Sequence, residues 1–248
     1  MEMSQLQPKP GEPTRCLVCP IRNLALFEAV KEELLDWTQK FRTQQYVLES
    51  RRHIYKEGDR ITESYTLFDG WVMLYKSLKD GKRQILRFAL PGDFLGYQID
   101  EDIPVNHSAL AITNITACGF PHTSLLELFR QQPELGMRLA SLQQRDMSYC
   151  YDHMMSVGQK SALESISSIL VELHDRSIER DPEGVAADYF PLSQEEIADY
   201  VGITFVHVSR VMKEMRKDGL IETGNRKIRV KDISALRQAA KMEQKSWV

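Results

Sequence analysis

The stretch Leu192–Val230, LSQEEIADYVGITFVHVSRVMKEMRKDGLIETGNRKIRV, constrains the fold more than any other part of the chain. Ser193 with Glu196 three residues on is the reciprocal capping pattern that satisfies free N–H groups at a helix start. Ile197, Ala198 and Val201 give this first helix an apolar face, and Gly202 can adopt the left-handed conformation that ends a helix and turns the chain. A second helix is expected over Thr204–Lys217, with Val208, Val211, Met212 and Met215 spaced to face a core. Gly219 stops it. Leu220-Ile221, a Gly224-Asn225 turn and Ile228-Arg229-Val230 then read as a hairpin. Two short helices, a tight turn and a β-wing make a winged helix-turn-helix, whose second helix is sized for the DNA major groove.

Charge supports that reading locally rather than globally. The net charge is −3, which is not the bias of a nonspecific nucleic-acid binder. From Thr204 onward, however, 11 Lys and Arg stand against 5 acids, so this end carries +6, as phosphate contact requires. The 248 residues suffice for two domains of ordinary size, and 42% hydrophobic with 27% charged residues is a normal soluble composition. No apolar run of about 18 residues exists, which argues against a membrane helix. The proline-rich start MEMSQLQPKPGEPTR shows no apolar signal segment, so a cytoplasmic location is expected. Four cysteines in such a chain argue for ligands or free thiols, not a disulfide framework.

The organisation expected is α+β. Residues 1–23 read as a cysteine-bearing arm, flexible over residues 1–20, and residues 24–42 as an amphipathic helix. From Val47 to Phe120 short strands alternate with turn signals at Glu57-Gly58-Asp59, Asp69-Gly70, Asp80-Gly81 and Pro91-Gly92-Asp93, which suggests a compact barrel or roll within residues 24–130. A long helix is expected over Pro133–Val157, inside a segment 131–158. Its residues Ala140, Gln143, Met147, Cys150, Met154 and Val157 recur at alternating steps of three and four, the seam of a coiled coil. Leu135, Leu139, Leu142 and Tyr149 form a second stripe that could pack on the roll. A helix apolar on two faces needs two partners, and a symmetric homodimer supplies the second. The rest, 159–248, holds a helix over Ala162–Arg180, a break at Asp181-Pro182-Glu183-Gly184 and the winged unit.

A roll with its glycines (Gly58-Asp59, Gly70, Gly92-Asp93-Phe94-Leu95-Gly96), a long dimer helix and the segment Leu192–Arg210 together resemble the CRP/FNR family of bacterial transcription regulators. The resemblance spans Cys16 to Lys241 and is closest to the FNR branch of iron–sulfur oxygen sensors. It implies a cyclic-nucleotide-binding-like β-roll. It also places Cys16 and Cys19 at that branch's first two cluster cysteines and Cys118 at the distant one. The third N-terminal position holds Ala25, so a four-thiolate cluster cannot be built from the family's positions. An iron–sulfur cluster with a non-cysteine ligand, another metal such as zinc, a redox thiol group and an empty site are the alternatives. The family's cyclic-nucleotide ligand is disfavoured. Tyr97 follows Gly96 where a ribose-binding glutamate is needed, and His107-Ser108 replaces an arginine-hydroxyl pair. A neutral imidazole does not replace a guanidinium on phosphate. Histidines 53, 107, 122 and 153 leave haem open, although no spacing points to it. Cys150 reads most simply as a small core residue of the seam.

The resemblance also assigns reading roles. Arg210 matches the family's guanine-reading arginine, and its guanidinium can span O6 and N7. Ser209 matches a base-touching serine. Val206 stands where CRP and FNR carry a base-accepting glutamate; a valine can touch only a thymine methyl, so the half-site should differ at that step. Phe205 and His207 complete the exposed face, Thr204 suits a phosphate at the helix start, and Asn225, Arg226 and Lys227 of the wing are candidates for adjacent phosphates. No phosphate-binding glycine loop, paired metal-ligand histidines or serine elbow suggests an enzyme. The expected partners are double-stranded DNA, a second copy and RNA polymerase. The alternative is a regulator that works without an effector or with another small molecule.

Overall fold

The computed structural model describes residues 5–98, 100, 102–180 and 189–241. It divides into two compact units. One holds the chain up to Lys76 with Arg87–Ser148; the other holds Ser77–Leu86 with the chain from Tyr149 on. The break expected at Asp181-Pro182-Glu183-Gly184 lies outside the described residues. Among those described, no helix is long and apolar enough to cross a membrane.

The first unit is the expected β-roll. Its strands are β1 (Gln7–Pro8), β2 (Gln45–Leu48), β3 (His53–Tyr55), β4 (Glu63–Asp69), β5 (Val72–Ser77), β6 (Arg83–Ala89), β7 (Phe94–Leu95), β8 (Ser108–Ala111) and β9 (Ile115–Pro121), with β5 and β6 running past the unit's edge. They form two sheets, ordered β1-β2-β9-β4-β7 and β3-β8-β5-β6. The pairings of β2 and β4 with β9, and of β3 and β5 with β8, are antiparallel. Leu67, Val72, Ala89, Leu95, Ala109 and Ala117 fill the interior. The turn residues do what their sequence requires. Gly92 sits at φ +96, and a Cβ there would come within 2.7 Å of Leu24 Cβ, so both the conformation and the close approach need glycine.

Two N-terminal expectations fail. Over its described residues the arm is tied down rather than loose: β1 pairs with β2 at Gln7–Val47, Lys9 N–H donates to Gln45 O, and Leu6 is buried. The helix expected over residues 24–42 is broken into 3-10 turns at Arg22–Leu24, Leu26–Ala29 and Gln39–Phe41 around a short α1 (Glu32–Thr38). Ala25, Val30 and Lys31 are extended. Phe27, Val30 and Leu35, which with Leu24, Leu34 and Trp37 suggested one stripe, instead join Leu26 in packing onto Phe94, Phe120 and Leu125 outside the roll. Packing against a curved surface outweighs helical periodicity here.

After β9 come α2 (His122–Gln131) and α3 (Pro133–Gln159). Gln132, forced out of helical geometry before a proline, separates them (φ −132°, ψ 78°). On α3, Leu135, Leu139 and Leu142 are buried as the second stripe anticipated. A buried ionic chain also ties α3 to the roll: Asp93, with no exposed side-chain surface, lies 3.3 Å from Arg145 and 3.7 Å from Arg87, and Arg87 pairs with Asp146. Asp93 also accepts the N–H of Leu90 at 2.9 Å.

The second unit contains α4 (Ala162–Arg180), β10 (Tyr189–Phe190), α5 (Gln194–Val201), α6 (Phe205–Lys217), β11 (Ile221–Gly224), β12 (Lys227–Val230) and α7 (Ile233–Ala239). Its core holds Leu170, Phe190, Ile197, Val208, Met212 and Leu236. Sequence reading missed β10, which adds Tyr189–Phe190 to the wing sheet in the order β10-β12-β11, and α7, which packs on α4. Two-residue strands and single-sided short helices leave little periodic signal. Within the same unit Arg83 Nε donates to Asp199 at 2.8 Å, and Gln84 Nε2 donates to the Tyr200 carbonyl at 2.6 Å.

Candidate nucleic-acid interface and thiol pocket

The helix-turn-helix is built as its residues dictate. Ser193 Oγ accepts the N–H of Glu196 at 3.2 Å while Glu196 Oε2 accepts the N–H of Ser193 at 2.7 Å, closing the capping box at α5. Gly202 at φ +73 ends α5 in the left-handed region. Thr204 then caps α6, its hydroxyl oxygen accepting the N–H of His207 at 3.3 Å. That oxygen accepts the cap bond and keeps its own O–H, so Thr204 can still donate outward beside the positively polarised helix start and the amides of Phe205 and Val206.

Val208, Val211, Met212 and Met215 are buried, and the opposite face carries Val206, Arg210, Lys213 and Lys217 at helical spacing, all exposed. His207 and Ser209 flank that face half-buried. Arg210 and Lys213 make no ion pair among the described residues, so their charges are available to an outside anion. Phe205 is turned differently. It lines a groove of about 400 Å³ between α6, the start of α5 and the wing, together with Asn225, Arg226 and Lys227. The wing turn is centred on Asn225 and Arg226, both left-handed (φ 50° and 57°), with Gly224 opposite Lys227. This is a two-residue hairpin loop one position later than the Gly224-Asn225 turn expected. It projects the three wing candidates into solvent. Arg216 NH1 donates to Thr223 Oγ1 at 2.9 Å and holds the wing to α6. Arg229 and Lys231 are instead engaged with Glu222.

The six seam residues of α3, Ala140, Gln143, Met147, Cys150, Met154 and Val157, are all exposed. Met147 and Met154 show 54% and 68% of their surface, and Tyr151 beside them 62%.

Cys16, Cys19 and Cys118 come together. They line one cavity of about 30 Å³ with Ala25, Arg42 and Gln45. Gln45 Nε2 donates to Cys118 Sγ at 3.5 Å, and an Arg42 guanidinium nitrogen lies 3.9 Å from it. Burial pushes the Cys16 thiol up to about 11 against the pull of Arg42, and burial raises Cys19 too. Among the described residues no three His, Cys, Asp or Glu side chains are arranged to hold a metal ion. The donor set does not fit a four-thiolate cluster: the fourth lining position is the methyl group of Ala25.

The positions a cyclic nucleotide would use are engaged internally. The Tyr97 ring packs tilted against Phe94 and edge-on to Phe129. His107 Nε2 lies 3.0 Å from the Tyr55 hydroxyl, burial and the nearby Arg87 hold the ring below its ordinary pKa, and Ser108 Oγ accepts the N–H of Glu57 at 2.9 Å. The four histidines considered for haem have separate neighbours: Tyr75 for His53, Tyr55 for His107, Gly96 O for His122 and Tyr200 for His153.

Known proteins share both kinds of domain. Residues 164–239 match the Crp-like helix-turn-helix domain and residues 46–132 the cyclic nucleotide-binding domain. The chain is 34% identical over 209 residues to the nitrogen fixation regulation protein FixK of Bradyrhizobium diazoefficiens, covering 83% of this chain and 85% of that one. It is 33% identical over 208 residues to the transcriptional activatory protein AadR of Rhodopseudomonas palustris, covering 82% and 83%. Identity to the transcriptional activator protein FnrL of Cereibacter sphaeroides is 28% over 230 residues, covering 91% and 92%. The structure of FixK2 from Bradyrhizobium japonicum superposes with a TM-score of 0.70 at 26% identity, covering 81% of this chain and 98% of that one.

Proposed function

The chain belongs to the CRP/FNR family of DNA-binding transcription regulators, and from that premise we propose that it acts as a homodimer on a pseudo-palindromic operator. Two copies paired along the α3 seam would set their α6 helices about one DNA turn apart, each in a major groove. In each half-site Arg210 bridges guanine O6 and N7, while Ser209 and His207 contact neighbouring base edges. The wing residues Asn225, Arg226 and Lys227, with the amides at the start of α6, take phosphates. The observation that carries this reading is the outward face of α6, where Arg210 and Lys213 stand exposed beside a wing that offers two further cations. A cytoplasmic location and contact with RNA polymerase follow from the role. Titration of a duplex selected from a random pool tests it. Arg210→Ala should lose about 1–3 kcal/mol of binding per half-site and relax the guanine preference. Equal binding by both proteins would remove Arg210 from base reading.

The signal is the finer question. The three-thiol cavity is the natural place for oxygen or redox input, but Ala25 in its fourth position favours regulation without a four-thiolate cluster. Iron, zinc and sulfide analysis with an absorption spectrum of anaerobically purified protein decides this. Metal-free protein with full DNA affinity supports it, and a stoichiometric cluster overturns it.

A further inference from the structure

We infer that Val206 makes this regulator a reader of the pyrimidine C5-methyl group, so that its half-site carries a thymine, or equally a 5-methylcytosine, beside the guanine read by Arg210. The inference rests on the operator-binding role proposed above and deepens it.

Val206 is 75% exposed, among the most exposed large apolar side chains in the described structure. It occupies the second helical position of α6, at the end that enters the groove first. Phe205, the other exposed apolar residue there, lines the groove toward the wing, so Val206 alone presents hydrocarbon on the face it shares with Arg210 and Lys213. A water-exposed valine among cations contributes nothing to the core, and it has no donor or acceptor with which to read a base edge. The major groove offers one apolar feature, the methyl at pyrimidine C5, present on thymine and 5-methylcytosine and absent from uracil and cytosine. Arg210 follows four residues later on the same face, about 6 Å along the helix at 1.5 Å per residue, so the two side chains reach different parts of one half-site.

The contact has a definite size. Removing one methyl from a buried apolar contact costs about 0.8 kcal/mol, about fourfold in Kd, and two half-sites make that about fifteenfold. The test uses the full-length protein and an operator obtained by selection from random duplexes. Each thymine of the half-site is replaced in turn by uracil, which keeps pairing and removes only the methyl. In a parallel arm each cytosine is replaced by 5-methylcytosine. At one position uracil, placed in both half-sites, should weaken wild-type binding about fifteenfold and Val206→Ala distinctly less, because the shorter side chain covers less of the methyl. A thymine-to-cytosine change at that pair should be partly rescued by 5-methylcytosine, more for wild type than for Val206→Ala. Equal wild-type binding to uracil and thymine at every position, with Arg210→Ala still impaired, overturns the methyl reading and leaves the operator role intact. Selection that returns no sequence overturns both.

Discussion

Met154→Glu should separate the two copies. In the single chain Met154 exposes 68% of its surface on the α3 seam. Burying a methionine side chain completely contributes about 1.5–3 kcal/mol, so about 1–2 kcal/mol is available from the surface still exposed. In a two-fold interface each residue acts twice, which doubles that to about 2–4 kcal/mol for the dimer. Glutamate forfeits this and sets two carboxylates near each other across the axis. The dimer dissociation constant should therefore rise between about 30-fold and about 700-fold. Sedimentation equilibrium measures it directly, with far-UV circular dichroism as the check that the monomer stays folded. Affinity for a single half-site should survive while affinity for the full operator falls. An unchanged dissociation constant would refute the seam, because no dimer using this face could absorb two buried charges at no cost. Met147→Glu, at 54% exposure, should behave in the same way, whereas Leu142→Glu, on the buried stripe, should unfold the roll's attachment instead.

Three further outcomes follow from particular contacts. Asp93→Ala leaves the buried Arg87 and the adjoining Arg145 short of an acceptor and should cost about 3–5 kcal/mol in urea denaturation, with Asp93→Asn milder because it still accepts the Leu90 N–H. Glu164 is held down to about 2, from an ordinary 4.5, first by the Lys241 ammonium and then by the N–H and hydroxyl of Ser161. Its folded-state value is the lower one, so its contribution is complete above about pH 4.5 and disappears as pH falls toward 2; Glu164→Gln should flatten the acid unfolding curve in that window and nowhere else. Ala25→Cys supplies a fourth sulfur to the cavity of Cys16, Cys19 and Cys118, so anaerobic reconstitution should load iron and sulfide into this variant and not into the wild type.

The parts legible in the sequence were those whose local chemistry is self-sufficient. The Ser193–Glu196 box, the Gly202 turn and the α6 periodicity each encode their own geometry, and α5 and α6 end within a residue of where they were expected. The two stripes of α3 were equally readable, because 27 residues carry enough repeats to separate one face from another. Illegible were the features that exist only through tertiary contact. Residues 24–42 have helical periodicity but are bent into 3-10 turns by the roll surface they cover. The arm looks disordered by composition, yet pairs as a strand with β2. The Asp93 chain joins residues more than fifty positions apart and leaves no mark in local pattern. Arg210 and the wing cations were expected on the surface, and they are exposed there. The sequence did not show that Thr204 Oγ1 accepts the cap bond of its own helix, or that Phe205 lines the groove toward the wing while Val206 stays on the exposed face of α6.

Hydroxyl-radical footprinting of the full-length protein on its selected operator reads the docking of the two α6 helices itself. Paired α6 helices in successive major grooves should protect two sugar–phosphate stretches whose centres lie about 10 base pairs apart, related by two-fold symmetry, and at a protein concentration that just saturates wild type Arg210→Ala should weaken both together. A single protected stretch, or protection equally strong without the Arg210 guanidinium at that concentration, would contradict it.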